Sequence, residues 1–269
     1  YCVSEKKAGL AVDIACREKA LLSKLDYLNG FSLYVGIPFC PSICSYCSFS
    51  SSPIDVWSPR MDDYLKALCI ELHHIAKETE GKTLNTIYIG GGTPTTLTAK
   101  QLEKLLNVVD ELFLNEERGA ELLEYTVEAG RPDSITKEKL EVICSHPVTR
   151  ISVNPQTMQQ KTLDLIGRRH TVDQTIQAFE LARKLGFTNI NMDLIIGLPG
   201  EELSDFEDTL RQVGQLAPDS LTIHSLVIKR ASRLRSVLEE QGALGETEQI
   251  RGRRMEQMLA RGEQFAGEQ

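Results

Sequence analysis

Cys40, Cys44 and Cys47 fall within eight residues, CPSICSYC, in a stretch running from Leu33 to Ser52. Three soft thiolates gathered this closely favour an iron–sulfur cluster, zinc or Cu(I) over hard cations. The CxxxCxxC spacing supplies three of the four ligands that a saturated cluster or a closed zinc site takes, so one coordination position is left for another group. The competing reading is three buried cysteines acting as small hydrophobes; their crowding beside prolines and serines weighs against it. The apolar run Leu33 to Ile37 ends at Pro38, which cannot donate to a ladder, so the cysteines sit on a loop at the C-terminal end of a strand.

The elements that must position this loop alternate in type. Residues 4–28 read as a helix with Leu10, Ile14, Leu21, Leu25 and Leu28 at helical spacing and Asn29-Gly30 as its stop. After the cysteine loop come a helix over Met61 to Thr79 and a strand Leu84 to Ile89 that runs into Gly90-Gly91-Gly92-Thr93-Pro94-Thr95. Glycines directly after a strand let backbone N–H groups approach a ligand closely, although this is not a GxGxxG fingerprint. The alternation continues through helix 99–114, strand 122–127 ending at Glu128, helix 137–144, and strand 148–153 ending at Asn154-Pro155-Gln156. Helices at 159–166 and 172–185, strand 190–196, helix 203–215 and strand 220–226 follow. Six strands alternating with helices imply right-handed crossovers and a parallel α/β sheet, with its site at the C-terminal strand ends. The chain is too short for a closed eightfold barrel, so the expected fold is α/β, a partial (β/α)6 barrel of parallel strands with helical appendages. The expected division is a helical segment 1–30, the barrel 31–230 and a helical tail 231–269 that stops short of a further domain.

The 269 residues are 41% hydrophobic and 25% charged, the composition of a globular chain able to bury a large core. A net charge of -8 argues against a broad nucleic-acid-binding face; Lys229, Arg230, Arg233 and Arg235 are one short basic patch, read as a solvated surface. Seven cysteines without a disulfide spacing point to a reducing compartment, with Cys2 and Cys16 as packing or surface residues. No apolar run approaches a membrane span and no secretory leader is visible, so the expected location is cytoplasmic. Adjacent His73 and His74 point in different directions on their helix and do not form a metal pair, His170 is read as structural or surface, and Met255 and Met258 as packing.

These motifs resemble the radical S-adenosylmethionine (SAM) superfamily and, within it, the oxygen-independent coproporphyrinogen III oxidase group. The resemblance rests on CxxxCxxC with Tyr46 before its last cysteine, IPFC at 37–40, GGGTPT at 90–95, Glu128 closing the third strand and DLIIGLPG at 193–200. RISVNPQTM at 150–158 and IGRRHT at 166–171 are similar to the coproporphyrinogen dehydrogenase branch. The resemblance implies a [4Fe–4S] cluster on Cys40, Cys44 and Cys47, with SAM on its open iron as the source of a 5'-deoxyadenosyl radical. It places Gly91, Gly92 and Thr93 against the methionine end of SAM, and gives Glu128, Gln156, Arg168 and Asp193 polar contacts to its amino acid and ribose. Arg169 competes with Arg168 for that role. Tyr34, Tyr46 and Ile195 are expected to line the apolar and adenine surfaces. The implied partners are a tetrapyrrole, coproporphyrinogen III or heme, and a low-potential electron donor. Phe49 stands two residues after Cys47, where the porphyrinogen oxidases carry a fourth cysteine, and in this it resembles the heme-binding chaperones of the group.

Overall fold

The computed structural model describes residues 3–47, 49, 51–114, 122–227, 233–234 and 248–268. Helix α1 (Glu5–Leu22) starts at Ser4, whose hydroxyl accepts the Lys7 N–H. It ends before the expected Leu28: the Ser23 hydroxyl donates to Ala20 O, and the Asp26 carboxylate takes the Asn29 N–H and turns the chain into a strand. Helix α1 buries none of its residues, and Leu10, Ile14 and Leu21 are exposed.

Strands β1 (Gly30–Ile37), β4 (Thr83–Gly91), β5 (Glu124–Gly130), β6 (Arg150–Gln156), β7 (Ile190–Ile196) and β8 (Ser220–Ser225) form one sheet. Every pairing is parallel and the strands lie in sequence order. The crossovers are helices α3 (Met61–Glu78), α4 (Ala99–Phe113), α5 (Lys137–Cys144), α6 (Gln160–Leu165), α7 (Val172–Lys184) and α8 (Leu203–Leu216). Helices α4 and α7 begin at capping boxes, Thr98 with Gln101 and Thr171 with Gln174, each satisfying two end N–H groups.

Period-two alternation divides the sheet. Val35, Ile87, Ile89, Tyr125, Val127, Ile151, Val153 and Met192 are buried in the core with Leu65 and Leu72 of α3 and Leu102, Leu105 and Leu106 of α4. The alternate positions carry Tyr34, Tyr88, Glu128, Ser152 and Asp193, so one face is apolar and helix-covered while the other is polar. Helix α9 (Glu248–Glu268) packs on α8, with Met258 fully buried and Met255 against Gly197, the packing role expected for both methionines. No helix among the described residues is long and apolar enough to cross a membrane.

A second, unanticipated pairing bears on the cysteine loop. Strands β2 (Phe39–Cys40) and β3 (Ser52–Pro53) are two residues each and pair in parallel, closing the loop at its root. Helix α2 (Ile54–Trp57) follows directly.

Candidate cofactor site

Cys40 and Cys44 are buried and Cys47 is half-buried, none of them in a disulfide. Burial pushes the Cys47 thiol up, the Phe49 backbone N–H pulls it down, and Cys44 and Cys40 push it up again. No three His, Cys, Asp or Glu side chains among the described residues converge as ligands of one metal ion do; a cubane takes thiolates at separate corners. Donors already face two of the sulfurs. The Thr93 hydroxyl lies 3.6 Å from Cys40 Sγ, and Arg131 Nη1 lies 3.7 Å from Cys44 Sγ. N–H and O–H groups aimed at sulfur suit thiolates, so the donor set fits an iron–sulfur cluster.

The glycine run packs on the root of this loop. A Cβ on Gly92 would stand 2.5 Å from Phe39 O and 3.0 Å from Cys40 Sγ, which is the close approach that glycine permits. The expected free N–H groups are engaged, however: Gly92 N donates to Ile37 O at 2.7 Å and Thr93 N to Phe39 O at 2.8 Å. These donors hold the cysteine loop to β4 instead of facing open space. Beside them lies a cleft of about 270 Å³ lined by Tyr34, Gly36, Ile37, Pro38, Phe49, Gly91 and Gly92. Phe49 is 74% exposed and Tyr34 62% exposed, so two aromatic rings border this cleft.

Further along the polar face, Tyr34 stacks on Tyr88 with centroids 5.8 Å apart, and the Tyr88 hydroxyl donates to Glu128. Burial raises the Glu128 pKa above the usual carboxylate range; the Tyr88 bond pulls it down, Asp193 pushes it up and Arg150 pulls it down. Asp193 accepts from Asn191 Nδ2 at 2.7 Å, and Asn191 Nδ2 also donates to Ser152 Oγ at 3.2 Å. Gln156 is buried and holds φ +72°, a left-handed conformation uncommon for a side-chain-bearing residue. The β5–β6 and β6–β7 pairings slip register beside Glu128 and before Gln156, irregularities of the kind that re-aim side chains at sites.

Arg168 is the inward member of its pair and Arg169 is exposed. Its guanidinium donates to the Tyr46 hydroxyl from Nε at 3.3 Å and Nη2 at 3.1 Å, and to Asn154 O from Nη1 at 2.6 Å. Arg168 thus ties the cysteine loop to β6. Ile195 packs with Tyr46, Ile166, Leu198 and Leu226, a small apolar patch separate from the main core. His170 is fully buried without a side-chain partner, and burial followed by the Arg168 charge lowers its pKa to about 4.

All thirteen residues named from the sequence therefore lie at or just before the C-terminal strand ends or on the cysteine loop, apart from Arg168, which reaches the loop from the turn after α6. Sequence reasoning missed Tyr88 and Arg131. Tyr88 carried a signal, its alternation with Gly90 on a strand; Arg131 carried none, because its partners are 87 and 89 residues away. Of the basic patch, Arg233 is exposed and Lys229, Arg230 and Arg235 lie outside the described residues, as does Cys2.

The profile of the Radical SAM superfamily matches residues 34–213. Over 238 residues the chain is 42% identical to the oxygen-independent coproporphyrinogen-III oxidase-like protein HemZ of Bacillus subtilis, covering 87% of this chain and 47% of that protein. It is 37% identical over 198 residues to the heme chaperone HemW of the same organism, covering 74% of this chain and 51% of that one. The solved structure of coproporphyrinogen III oxidase (HemN) from Escherichia coli, described as a radical SAM enzyme, superposes with a TM-score of 0.67 at 29% identity, covering 80% of this chain and 52% of that one. The chain thus spans about half the length of the relatives it matches. With cysteine loop, strand-end polar residues and fold all agreeing, the chain belongs to the radical SAM superfamily.

Proposed function

We propose that this chain is the catalytic core of a radical SAM oxidoreductase acting on a tetrapyrrole, by oxidative decarboxylation of the propionate side chains of coproporphyrinogen III. The observation that carries the reading is the cysteine loop, rooted by β2 and β3 and packed on the Gly91–Thr93 turn, beside an aromatic cleft and a face lined by Glu128 and Asp193. Cys40, Cys44 and Cys47 would hold a [4Fe–4S] cluster and the strand-end residues SAM; together these supply a 5'-deoxyadenosyl radical for hydrogen-atom abstraction.

The residues of the chain have separable tasks. Glu128 and Asp193 present carboxylates that accept hydrogen bonds from ammonium and ribose hydroxyl groups. Gln156 adds a polar side chain from a strained backbone position, and Tyr34 with Phe49 offers aromatic surface to a flat ligand. Arg168, through Tyr46, fixes the loop so that its thiolates need not be ordered at each turnover. A low-potential electron donor is required as partner, the six described cysteines are free, and the reducing cytoplasm is the fitting compartment.

A second reading, a heme chaperone that keeps the cluster, is favoured by Phe49 in place of a fourth cysteine. One experiment divides the two: anaerobic incubation of the reconstituted protein with SAM, a reductant and coproporphyrinogen III, followed by mass spectrometry. Loss of carbon dioxide from the substrate supports the oxidase. SAM intact and substrate unchanged, with heme retained stably in a parallel titration, replaces it with the chaperone.

A further inference from the structure

Arg131 directly follows β5, after the slip in register beside Glu128 and a left-handed Gly130 at φ +71°. It is 3% exposed, and a buried guanidinium needs partners for its five donors. Nε and Nη2 bind the two oxygens of Asp133 at 3.0 and 2.7 Å, a bidentate fork. Nη1 points the other way, to Ser42 O at 2.8 Å, Ser42 Oγ at 2.9 Å and Cys44 Sγ at 3.7 Å. Ser134 closes the turn beneath, donating from its N–H and hydroxyl to Arg131 O. The side chain is therefore aimed from behind by a carboxylate and directed at one sulfur of the cysteine loop.

We infer that Arg131 is a positioning residue that sets the reduction potential of the cluster through a charge-assisted N–H···S contact to Cys44, with Asp133 moderating its charge. The inference rests on the cluster assignment above. Reduction adds one negative charge to a cluster whose thiolates are half or more buried, where a nearby cation is little screened. A guanidinium at Cys44 favours the reduced state. Asp133, held to the same cation by two hydrogen bonds, opposes it. Removing either partner therefore moves the potential in opposite directions, whereas loosening a purely structural clamp moves both variants the same way.

The test uses the whole chain, reconstituted anaerobically, with iron and sulfide analysis and a potentiometric titration followed by electron paramagnetic resonance. Arg131→Met lowers the reduction equilibrium at least tenfold, about 59 mV for a one-electron couple. Asp133→Asn raises the potential. Arg131→Lys, which keeps charge without the fork, falls between wild type and Arg131→Met. A loaded Arg131→Met cluster whose equilibrium changes less than twofold, about 18 mV on the same scale, overturns the inference, as does a fall in potential in both Arg131→Met and Asp133→Asn. If Arg131→Met holds no cluster, Asp133→Asn decides: a raised potential supports the role and an unchanged or lowered one removes it. Wild-type protein that takes up no iron and sulfide overturns the cluster reading and this role with it, whereas a loaded wild type with unresponsive variants overturns this role alone.

Discussion

Alanine at Gly91 meets two penalties that two neighbouring glycines allow to be measured apart. Gly91 has φ +106°, and its Cβ would stand 3.0 Å from Ile37 N and 3.1 Å from Ile37 O, backbone atoms of the strand that carries the cysteine loop. Gly81 has φ +77° with nothing within 4 Å of its Cβ, so it reports backbone conformation alone. At Gly92 the clash is with Phe39 O and Cys40 Sγ, and no left-handed φ contributes. A left-handed backbone costs about 1–2 kcal/mol for an L-residue, and loss of unfolded-chain freedom returns about 0.4–1 kcal/mol. Gly81→Ala should then destabilise by about 0–1.6 kcal/mol. Forcing a methyl against fixed backbone adds about 1–3 kcal/mol, so Gly91→Ala loses about 1–4.6 kcal/mol and still folds within a total of about 5–15 kcal/mol. Urea titrations by far-UV circular dichroism give the stabilities, and iron analysis after reconstitution gives the state of the loop. Gly92→Ala is expected to lose iron out of proportion to its stability loss. Equal costs at Gly81 and Gly91, or full iron retention in Gly92→Ala, would refute the close-packed root.

Three further outcomes follow from the same geometry. Glu201 is buried, its carboxylate accepting from Thr157 Oγ1 at 2.6 Å, and burial pushes its pKa up to about 6. A raised acid binds more protons folded than unfolded, so its contribution falls as pH rises through the window up to about 6, by about 2 kcal/mol; Glu201→Gln should gain on wild type by that amount between pH 4.5 and 7, and parallel stability curves would exclude it. Tyr88→Phe removes the hydrogen bond that pulls the Glu128 pKa down, so SAM binding measured by calorimetry should weaken and shift to higher pH, and an unshifted profile counts against Glu128 as a ligand-facing carboxylate. Cys44→Ala should keep its far-UV spectrum and lose its iron, because the core lies on the opposite face of the sheet; normal iron content contradicts the ligand assignment.

What the sequence revealed and what it hid divide by the range of the interactions. The six strands were readable because a parallel sheet covered by helices imposes period-two alternation and a crossover between each pair. Polar residues such as Glu128, Gln156 and Asp193 could be placed because strands of this kind end at the site. Helix α1 ran long in the sequence reading because its apolar spacing continues to Leu28, while Ser23 and Asp26 close it through local side-chain bonds that periodicity does not register. The glycine run follows β4 as its sequence suggests, but whether Gly92 N–H faces open space or meets Ile37 O depends on where β1 ends relative to β4, a fact of register that no local pattern carries.

The cysteine loop shows why register and distant contacts matter for function. Its thiolates are fixed by the β2–β3 pairing at the root, by the Gly92 and Thr93 N–H groups from β4, by Arg131 after β5 and by Arg168 after α6. The pairing at the root is local to the loop, whereas the other three tethers come from beyond β4, β5 and α6 and are distant in sequence from the cysteines they hold. A loop with polar backbone and three thiols has little hydrophobic burial with which to offset its own ordering entropy. Anchoring it from successive strand ends distributes that cost over a sheet already ordered by its core. On this argument CxxxCxxC names the ligands proposed for the cluster, while the parallel sheet makes the spacing of those cysteines a fixed property of the fold.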